Sequence, residues 1–468
     1  MPLSDARWDR LLFRVEHWLL SPGRSDMAKL RGYLRVREWR KLSRRERLRA
    51  IKVLLKWPVH SYRESVRAVA EYGEWVTREF GVSRGQQVRQ LWWLRVRHGI
   101  RPRVYYRYRL FRPRELRRAP QFFQGNGVQG RSEASELYRM LNVRTAPEEA
   151  AMLVNKGQFE RWLVAHGFPT TRTVVEFSNG SVVRSTMPDG ALPRRDLFSK
   201  PADQEAGAGA GRWSYDGEGW AGVDGRRRSE RELIAELSEQ SLEYDVLVQE
   251  QLRNHPALAP LAPAALSTVR LLTLRGLDGA VRVLFAVAKI PTGIAATDHM
   301  KHGGLGAPVD LPTGRLQRAV RKDPKTLVAF CNRHPDTGAA IEGFQLPHWE
   351  STKQLVVRAH EALERLVCIG WDVAILETGP AIIEGNDDPG HFSTEIPTGV
   401  PLGETPVAPT LVAHFEAALA GGAATPPRVV QQKSEVRQAE SVRPPAHDGV
   451  LMPESGQGDG MRQERAAM

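Results

Sequence analysis

The stretch Gly370-Trp371-Asp372-Val373-Ala374-Ile375-Leu376-Glu377-Thr378-Gly379-Pro380-Ala381-Ile382-Ile383-Glu384-Gly385-Asn386 carries the densest chemical signal in the chain. Two apolar runs flank a short turn, with acids and an amide at the far ends, so it reads as a β-hairpin. Glu384 and Asn386 stand two apart on one strand and therefore share a face. The turn decides whether Asp372 joins them. A two-residue loop at Thr378-Gly379 pairs 377 with 380 and sends Asp372 to the opposite face, and it demands positive φ of a β-branched residue. A three-residue loop over Glu377-Thr378-Gly379 puts glycine in the left-handed position, pairs 376 with 380 and brings Asp372 opposite Glu384. Turn chemistry favours the second register. Two carboxylates and an amide oxygen are hard ligands suited to Mg²⁺, an ion that keeps waters and binds substrate phosphates. The plain alternative is a solvated hairpin end.

A second hairpin, Ser267 to Ile290, repeats the logic with opposite charge. Asp278-Gly279 signals a two-residue turn that pairs 277 with 280. Arg270 then faces Val287 and Lys289 faces Thr268, on the side of Leu272, Leu274, Val283, Phe285 and Val287. Two cations at the end of an apolar face require an anionic partner, either phosphate or a metal-bound carboxylate, or else a local acid. Upstream, the short strand Asp196 to Pro201 closes on Lys200 and leads to Gly207-Ala208-Gly209-Ala210-Gly211. Alternating glycines let backbone N–H groups approach phosphate oxygens, and Lys200 adds a point charge. No Gly-Lys-Ser/Thr closes this loop, so it is not a P-loop, and a mobile surface turn is the bland reading. Val246 to Leu252 is an apolar strand running into Gln249, Glu250 and Gln251, an end able to offer backbone groups to an adenine edge.

These elements sit in a chain of 468 residues, 41 % hydrophobic and 26 % charged, which excludes a disordered or fibrous protein. Residues 1 to 118 hold 31 Lys and Arg against 11 Asp and Glu, a surplus of 20 that exceeds the +13 of the whole chain. Seven of the twelve tryptophans lie in the same segment, so it should pack as a basic helical region. Trp8 to Leu19 has helical spacing. Ser43 and Glu46 form a capping box opening a helix that carries Leu48, Ile51 and Leu54 or Leu55 and should stop near Pro58. Ser83 with Gln86 opens another that ends at Gly99. Strand-like and helix-like stretches alternate from about residue 140, an α+β or α/β body. Residues 421 to 468, rich in Pro, Gly, Gln and charge, read as a disordered tail. Only Cys331 and Cys368 are present, which excludes a disulfide scaffold and fits a reducing cytosol; Cys368, in an apolar stretch read as helical, is a core residue. No stretch is long and apolar enough to span a bilayer, and no secretory leader is legible at the N-terminus, so the expected location is cytoplasmic.

Taken in order, Asn155-Lys156, Ser199-Lys200-Pro201, the glycine loop, Val248 to Leu252, Arg270, and Asp372 followed by Glu384-Gly385-Asn386 resemble the ATP-grasp superfamily. Its members place an Asp about a dozen residues before a Glu-x-Asn pair. More narrowly, Leu252-Arg253-Asn254-His255-Pro256, Ser267-Thr268-Val269-Arg270, Gly303-Gly304 with Ala307-Pro308-Val309-Asp310, and Gly370 to Ala374 resemble the sugar-transfer-associated ATP-grasp family, related to α-L-glutamate ligases. The resemblance covers roughly residues 120 to 420. It implies an α+β ATP-grasp fold in which two subdomains sandwich ATP, preceded by the basic helices at 1–118, with the catalytic body at 119–420. It further implies that Lys156, Lys200 and the loop glycines Gly207, Gly209 and Gly211 contact the phosphates and that Gln249, Glu250 and Leu252 line the adenine pocket. Asp372, Glu384 and Asn386 would hold Mg²⁺, and Arg270 with Lys289 would neutralise the transferred phosphoryl group. Where many members carry an acidic ribose ligand, this chain reads Arg253-Asn254-His255-Pro256.

The activity so implied is an ATP- and Mg²⁺-dependent carboxylate-amine ligase working through an acyl phosphate, in assembly of a cell-surface polysaccharide or related envelope polymer. Carboxylate attack on ATP sets anion against anion, so such a site must collect Mg²⁺, Lys and Arg around the phosphates. The glycine loop would serve as a lid, and His302-Gly303-Gly304 is a candidate acceptor contact, with a plain turn as the alternative. A kinase on the same fold is the near alternative. From another class comes a binding protein using the basic helices, either at an anionic membrane surface or on nucleic acid, although no nucleic-acid-binding signature is present.

Overall fold

The computed structural model describes residues 25–124, 132–202, 209–263, 265–293, 298, 303–390 and 392–420. Gly207, His302, the Trp8 to Leu19 segment and the 421–468 tail lie outside the described residues.

Five helices lead: α1 (Asp26–Lys41), α2 (Arg44–Phe80), α3 (Arg84–His98), α4 (Pro102–Arg107) and α5 (Pro113–Arg118). The capping signals act where expected. Ser43 accepts from the Glu46 N–H while the Glu46 carboxylate reaches back to Ser43; Ser83 accepts from Gln86, and Gly99 closes α3 in the left-handed conformation. The stop at Pro58 does not occur, because α2 runs through it to Phe80. A proline inside a helix removes one N–H and one ladder bond. Here packing compensates: Trp57, Ser61, Ser65, Ala68 and Val69 are all buried, and the Trp92 indole of α3 donates to the Pro58 carbonyl at 2.9 Å.

The remaining helices are α6 (Glu133–Thr145), α7 (Pro147–Val154), α8 (Lys156–Ala165), α9 (Glu230–Gln240), α10 (Trp349–Glu361), α11 (Phe392–Thr398) and α12 (Val407–Ala420). Two seven-stranded sheets hold the strands. The first takes β1 (Thr173–Ser178), β2 (Ser181–Ser185), β3 (Leu197–Pro201), β4 (Gly211–Tyr215), β5 (Trp220–Ala221), β6 (Arg227–Arg228) and β7 (Val246–Glu250) in the order β2-β1-β7-β3-β4-β5-β6. The second takes β8 (Thr268–Arg275), β9 (Val281–Ile290), β10 (Leu305–Pro308), β11 (Ala319–Asp323), β12 (Leu327–Cys331), β13 (Cys368–Leu376) and β14 (Gly379–Asn386) in the order β12-β11-β10-β9-β8-β13-β14. Cys368 is buried as expected, but it opens strand β13 and is not helical.

Helices cover both faces of the second sheet. On one side Leu271, Ala286, Trp371 and Ile382 pack with residues of α7, α8 and α10, among them Leu153, Phe159 and Val356. On the other, Leu272, Leu274, Phe285 and Cys368 pack with Leu30 of α1, Leu141 of α6 and Leu411 of α12. The core of α2, α3 and α4 reaches Val320 and Val328 of the same sheet and Ile396 of α11. The basic helices are thus joined to the sheet by buried apolar contact.

Both site hairpins reach the expected far-end pairing by an unexpected route. In β13–β14 the turn is tighter: Leu376 pairs with Gly379, not 376 with 380, which leaves Thr378 outside the left-handed region. A one-residue bulge between Asp372 and Val373 then restores Asp372 opposite Glu384. In β8–β9 the turn is longer, because Gly276 donates to the Ala280 carbonyl and the 277 with 280 pairing is lost. A bulge between Leu272 and Thr273 again restores Arg270 opposite Val287 and Thr268 opposite Lys289. That bulge has a visible consequence. Val283, expected on the Arg270 face, pairs with Thr273 and joins the opposite core.

Candidate functional site

Asp372 lies at the centre of four adjacent strands, with Glu384 of β14 opposite on one side and Arg270 of β8 on the other. Arg270 grips it bidentately, Nε to Oδ1 at 2.9 Å and Nη2 to Oδ2 at 3.0 Å. Lys289, from β9, adds its Nζ 3.1 Å from Oδ1. The cationic end of the second hairpin therefore meets the acidic end of the first. Burial alone would raise the Asp372 pKa, but Arg270 and Lys289 overcome it and hold the carboxyl well below the usual carboxylate range. Burial likewise opposes the Lys289 charge, and Asp298 and Asp372 outweigh it, so its pKa is raised.

Asp298 is the functional candidate that the sequence does not disclose. Its Oδ1 stands 3.6 Å from Lys289 Nζ, while Oδ2 accepts from the Thr268 N–H at 2.7 Å and the Thr268 hydroxyl at 2.6 Å. Nothing in its local pattern marks it. The only available signal was the unpartnered cation at the end of an apolar face.

Glu384 and Asn386 project from β14 beside Asp372. The Asn386 amide donates to the Gly370 carbonyl at 3.2 Å and approaches Glu384 Oε1 at 3.5 Å, which leaves the Asn386 Oδ1 available as an acceptor. Asp372 and Glu384 are within hydrogen-bonding reach of each other, an arrangement of two carboxylates that a cation would relieve. Two carboxylates and an amide oxygen suit Mg²⁺. Among the described residues no group of three or more His, Cys, Asp or Glu gathers in a metal-binding arrangement. The glycine inside Glu384-Gly385-Asn386 has a steric reason: a Cβ there would lie 2.8 Å from Leu153 and 2.9 Å from Phe159. The outward residues keep their face because the strand sits flush on α7 and α8.

Lys200 on β3 is half-buried, and its pKa is lowered chiefly by burial, with Lys156 adding to the fall and Glu384 and Glu160 opposing it. Lys156 and Glu384 thus each come within electrostatic range of Lys200, although the three belong to different elements. Lys156 is placed at the start of α8 because Asn155 caps that helix, accepting from the Gln158 N–H at 2.9 Å. Gly209 and Gly211 lie close against protein. A Cβ would fall 2.8 Å from the Tyr244 hydroxyl at Gly209 and 2.7 Å from Ser199 Oγ at Gly211, where β4 begins.

At the end of β7 the side chains part. Gln249 is buried, donating to Glu160 at 2.9 Å, and Glu160 also accepts from the Thr173 N–H and hydroxyl. Glu250 turns outward to Arg195 at 3.0 Å. Leu252 is half-buried in the following loop. In the stretch Arg253 to Pro256, Asn254 acts as a staple, donating to the Ala262 and Ala265 carbonyls and accepting from the Ser267 N–H.

The profile of the sugar-transfer associated ATP-grasp family matches residues 132–405, more than half of the chain. No curated protein matches. Among solved structures, D-alanyl-alanine synthetase A from Vibrio cholerae is 14 % identical with a TM-score of 0.36, covering 63 % of this chain and 74 % of that one. A D-alanine–D-alanine ligase from Bacillus anthracis, complexed with ATP, is 10 % identical with a TM-score of 0.31, covering 58 % and 68 %. The matched residues contain Lys156, Lys200 and both charged hairpins, so the segment recognised by the profile is the segment that assembles the site: this chain belongs to the sugar-transfer associated ATP-grasp family and has the α+β ATP-grasp fold.

Proposed function

We propose that this chain is an ATP- and Mg²⁺-dependent carboxylate-amine ligase, acting in the assembly of a cell-surface polysaccharide or related envelope polymer. The observation that carries the reading is the convergence of Arg270, Lys289, Asp372 and Glu384 on one face of β14-β13-β8-β9, with Lys200 in electrostatic range. The polymer rests on family membership alone.

Glu384, Asn386 and Asp372 are the residues that would hold Mg²⁺, which when bound supplies charge to the phosphate oxygens. Lys156 and Lys200 bind and orient the phosphate chain of ATP. Gln249, Glu250 and Leu252 border the adenine, Gln249 chiefly by fixing the strand through Glu160. Arg270 and Lys289 stabilise the charge that develops on the transferred phosphoryl group as a substrate carboxylate attacks it. In the resting arrangement Asp372 engages both cations, which keeps them charged and in place. Amine attack on the resulting acyl phosphate releases inorganic phosphate and forms the amide.

Calorimetry of ATP binding with and without Mg²⁺ tests the site, comparing wild type with Glu384→Ala and Asn386→Ala. Mg²⁺-dependent binding lost in both variants is expected; no binding by folded wild-type protein would remove the ligase reading. Product analysis then separates a ligase, which releases ADP and phosphate beside an amide, from a kinase, which keeps the phosphate on its product.

A further inference from the structure

Of the apolar positions that mark α2 in the sequence, Leu48, Ile51 and Leu54 or Leu55, the structure turns Leu48, Ile51 and Leu55 outward, while Leu54 is half-buried against Leu42 and Ala50. Leu48 is 63 % exposed and Leu55 78 %, and Ile51, Val59, Tyr62 and Val66 are also exposed. At about 100° per residue these six fall on one arc of roughly 80°, and the span from 48 to 66 is about 27 Å long. The helix has its inner face elsewhere, at Ala50, Trp57, Ser61, Ser65 and Ala68. Trp92 of α3, held by its indole bond to the Pro58 carbonyl, lies beside the stripe and is itself 39 % exposed.

A second stripe runs alongside. Arg45, Arg49, Lys52, Lys56, Arg63 and Arg67 are all exposed, and the same helical arithmetic puts them next to the apolar arc. Among the described residues none of the six pairs with a carboxylate. The two acids of this half-helix are engaged elsewhere: Glu46 in the capping box with Ser43, and Glu64 with Arg95 and His60. Among the described residues this face of α2 therefore presents apolar and basic side chains and no carboxylate.

We infer that this face of α2 docks the protein on an anionic lipid bilayer, with Leu48, Ile51, Leu55, Val59, Tyr62 and Trp92 at the acyl boundary and the basic stripe on the headgroup phosphates. Charge complementarity selects the occupant. A second copy of α2 would set its Arg and Lys against identical cations. A nucleic acid would match the basic stripe but offers no partner to Leu, Ile and Val side chains, which neither stack on bases nor read their edges. An anionic bilayer satisfies both stripes at once, as interfacial helices with an apolar face and a basic flank do. This inference stands on α2 and α3 and does not depend on the ATP site.

The test is sedimentation of the full chain with vesicles of phosphatidylcholine and phosphatidylglycerol, against vesicles of phosphatidylcholine alone, across a salt series. Binding to the anionic vesicles is expected, weakened about tenfold or more in each of two surface variants, Leu55→Gln/Val59→Gln and Lys52→Glu/Lys56→Glu, with helical content unchanged by circular dichroism. The charge variant should also lose most of the salt dependence. Failure of the folded wild-type chain to bind anionic vesicles overturns the inference. So does binding that the Leu55→Gln/Val59→Gln variant retains in full while duplex DNA binds equally well, since charge alone would then explain it. A change from dimer to monomer in that variant, without any vesicle binding, would assign the face to a second copy instead.

Discussion

Arg270 and Asp372 face each other across neighbouring strands, and the guanidinium closes on the carboxylate through two hydrogen bonds of 2.9 and 3.0 Å. With Lys289 added at 3.1 Å, one carboxylate holds two cations in a region almost closed to water. Removing one member of such a cluster exposes the others to their full desolvation penalty. Asp372→Ala takes from Arg270 the carboxylate across the strand and, among the described residues, leaves Lys289 in an ion pair with Asp298 only. The variant should lose about 3 to 5 kcal/mol of unfolding free energy in urea, beyond any effect on ATP. An unchanged midpoint would show that the two cations need no such partner.

Gly370 is the position where a methyl group has nowhere to go. Its Cβ would lie 2.6 Å from the Pro389 Cα and 3.0 Å from Arg270 Nη1. The Pro389 segment cannot easily retreat, since Asn142 donates to both the Asp387 and Cys368 carbonyls and ties the strand to the loop that follows it. Gly370→Ala should therefore displace Arg270 and the chain after Asn386. The expected cost is about 1 to 3 kcal/mol of stability, with a larger relative loss of ATP affinity by calorimetry. Wild-type affinity in this variant would contradict the crowding argument.

Glu395 of α11 is fully buried where the basic helices meet the body. Its Oε1 accepts from the Phe123 and Leu402 N–H groups at 3.2 and 2.8 Å, and Oε2 from the Tyr108 hydroxyl at 3.1 Å. Burial nevertheless dominates these donors and pushes its pKa up to about 8. The folded protein thus holds this proton more tightly than the unfolded chain does, and stability from this group falls as pH rises from the ordinary carboxyl value through about 8. Glu395→Gln should flatten the stability profile between about pH 5 and 8, a window set by the ordinary and the raised values. Thermal melts of both proteins at several pH values measure it. Parallel profiles would mean that Glu395 titrates normally.

Behind the charged face, Thr273 joins two core side chains. The Trp371 indole lies 2.7 Å from the Thr273 oxygen as donor, and His360 Nδ1 also lies 2.7 Å from it, with Nε2 2.9 Å from the Leu366 carbonyl. Burial pushes the His360 pKa down to about 3, so the ring is neutral, donating from Nε2 and accepting at Nδ1. Thr273→Val keeps the shape and strands both partners. It should cost about 2 to 4 kcal/mol, since each orphaned buried polar group carries its own penalty, and Trp371 fluorescence will report the change. A loss below 1 kcal/mol, on the order of a simple methyl-for-hydroxyl exchange, would argue that water reaches the gap.

The order of chemical residues, the strand periodicity, the Ser43–Glu46 capping box and the Ser83 cap were legible in the sequence because each depends on neighbours within a few positions. The period of two placed Glu384 with Asn386, and Ser43 with Glu46 started α2 where the local pattern demanded. The turns were read wrongly in both hairpins, and the far-end pairings survived. Turn types differ by small local preferences, whereas a slip of one residue would move an entire buried face to the other side of the sheet. The bulges at Asp372/Val373 and Leu272/Thr273 absorb the difference, and no local rule announces them. Asp298, fixed by Thr268 across a loop, and the inward turn of Gln249 toward Glu160 likewise depend on chain segments remote in sequence. Tertiary structure also decided the fate of α2. Periodicity reveals that a helix has an apolar stripe, but what that stripe faces depends on which neighbour arrives. At Leu48, Leu55 and Val59 none arrives among the described residues, because α3 packs against the opposite face, where Trp57 and Ala68 are buried.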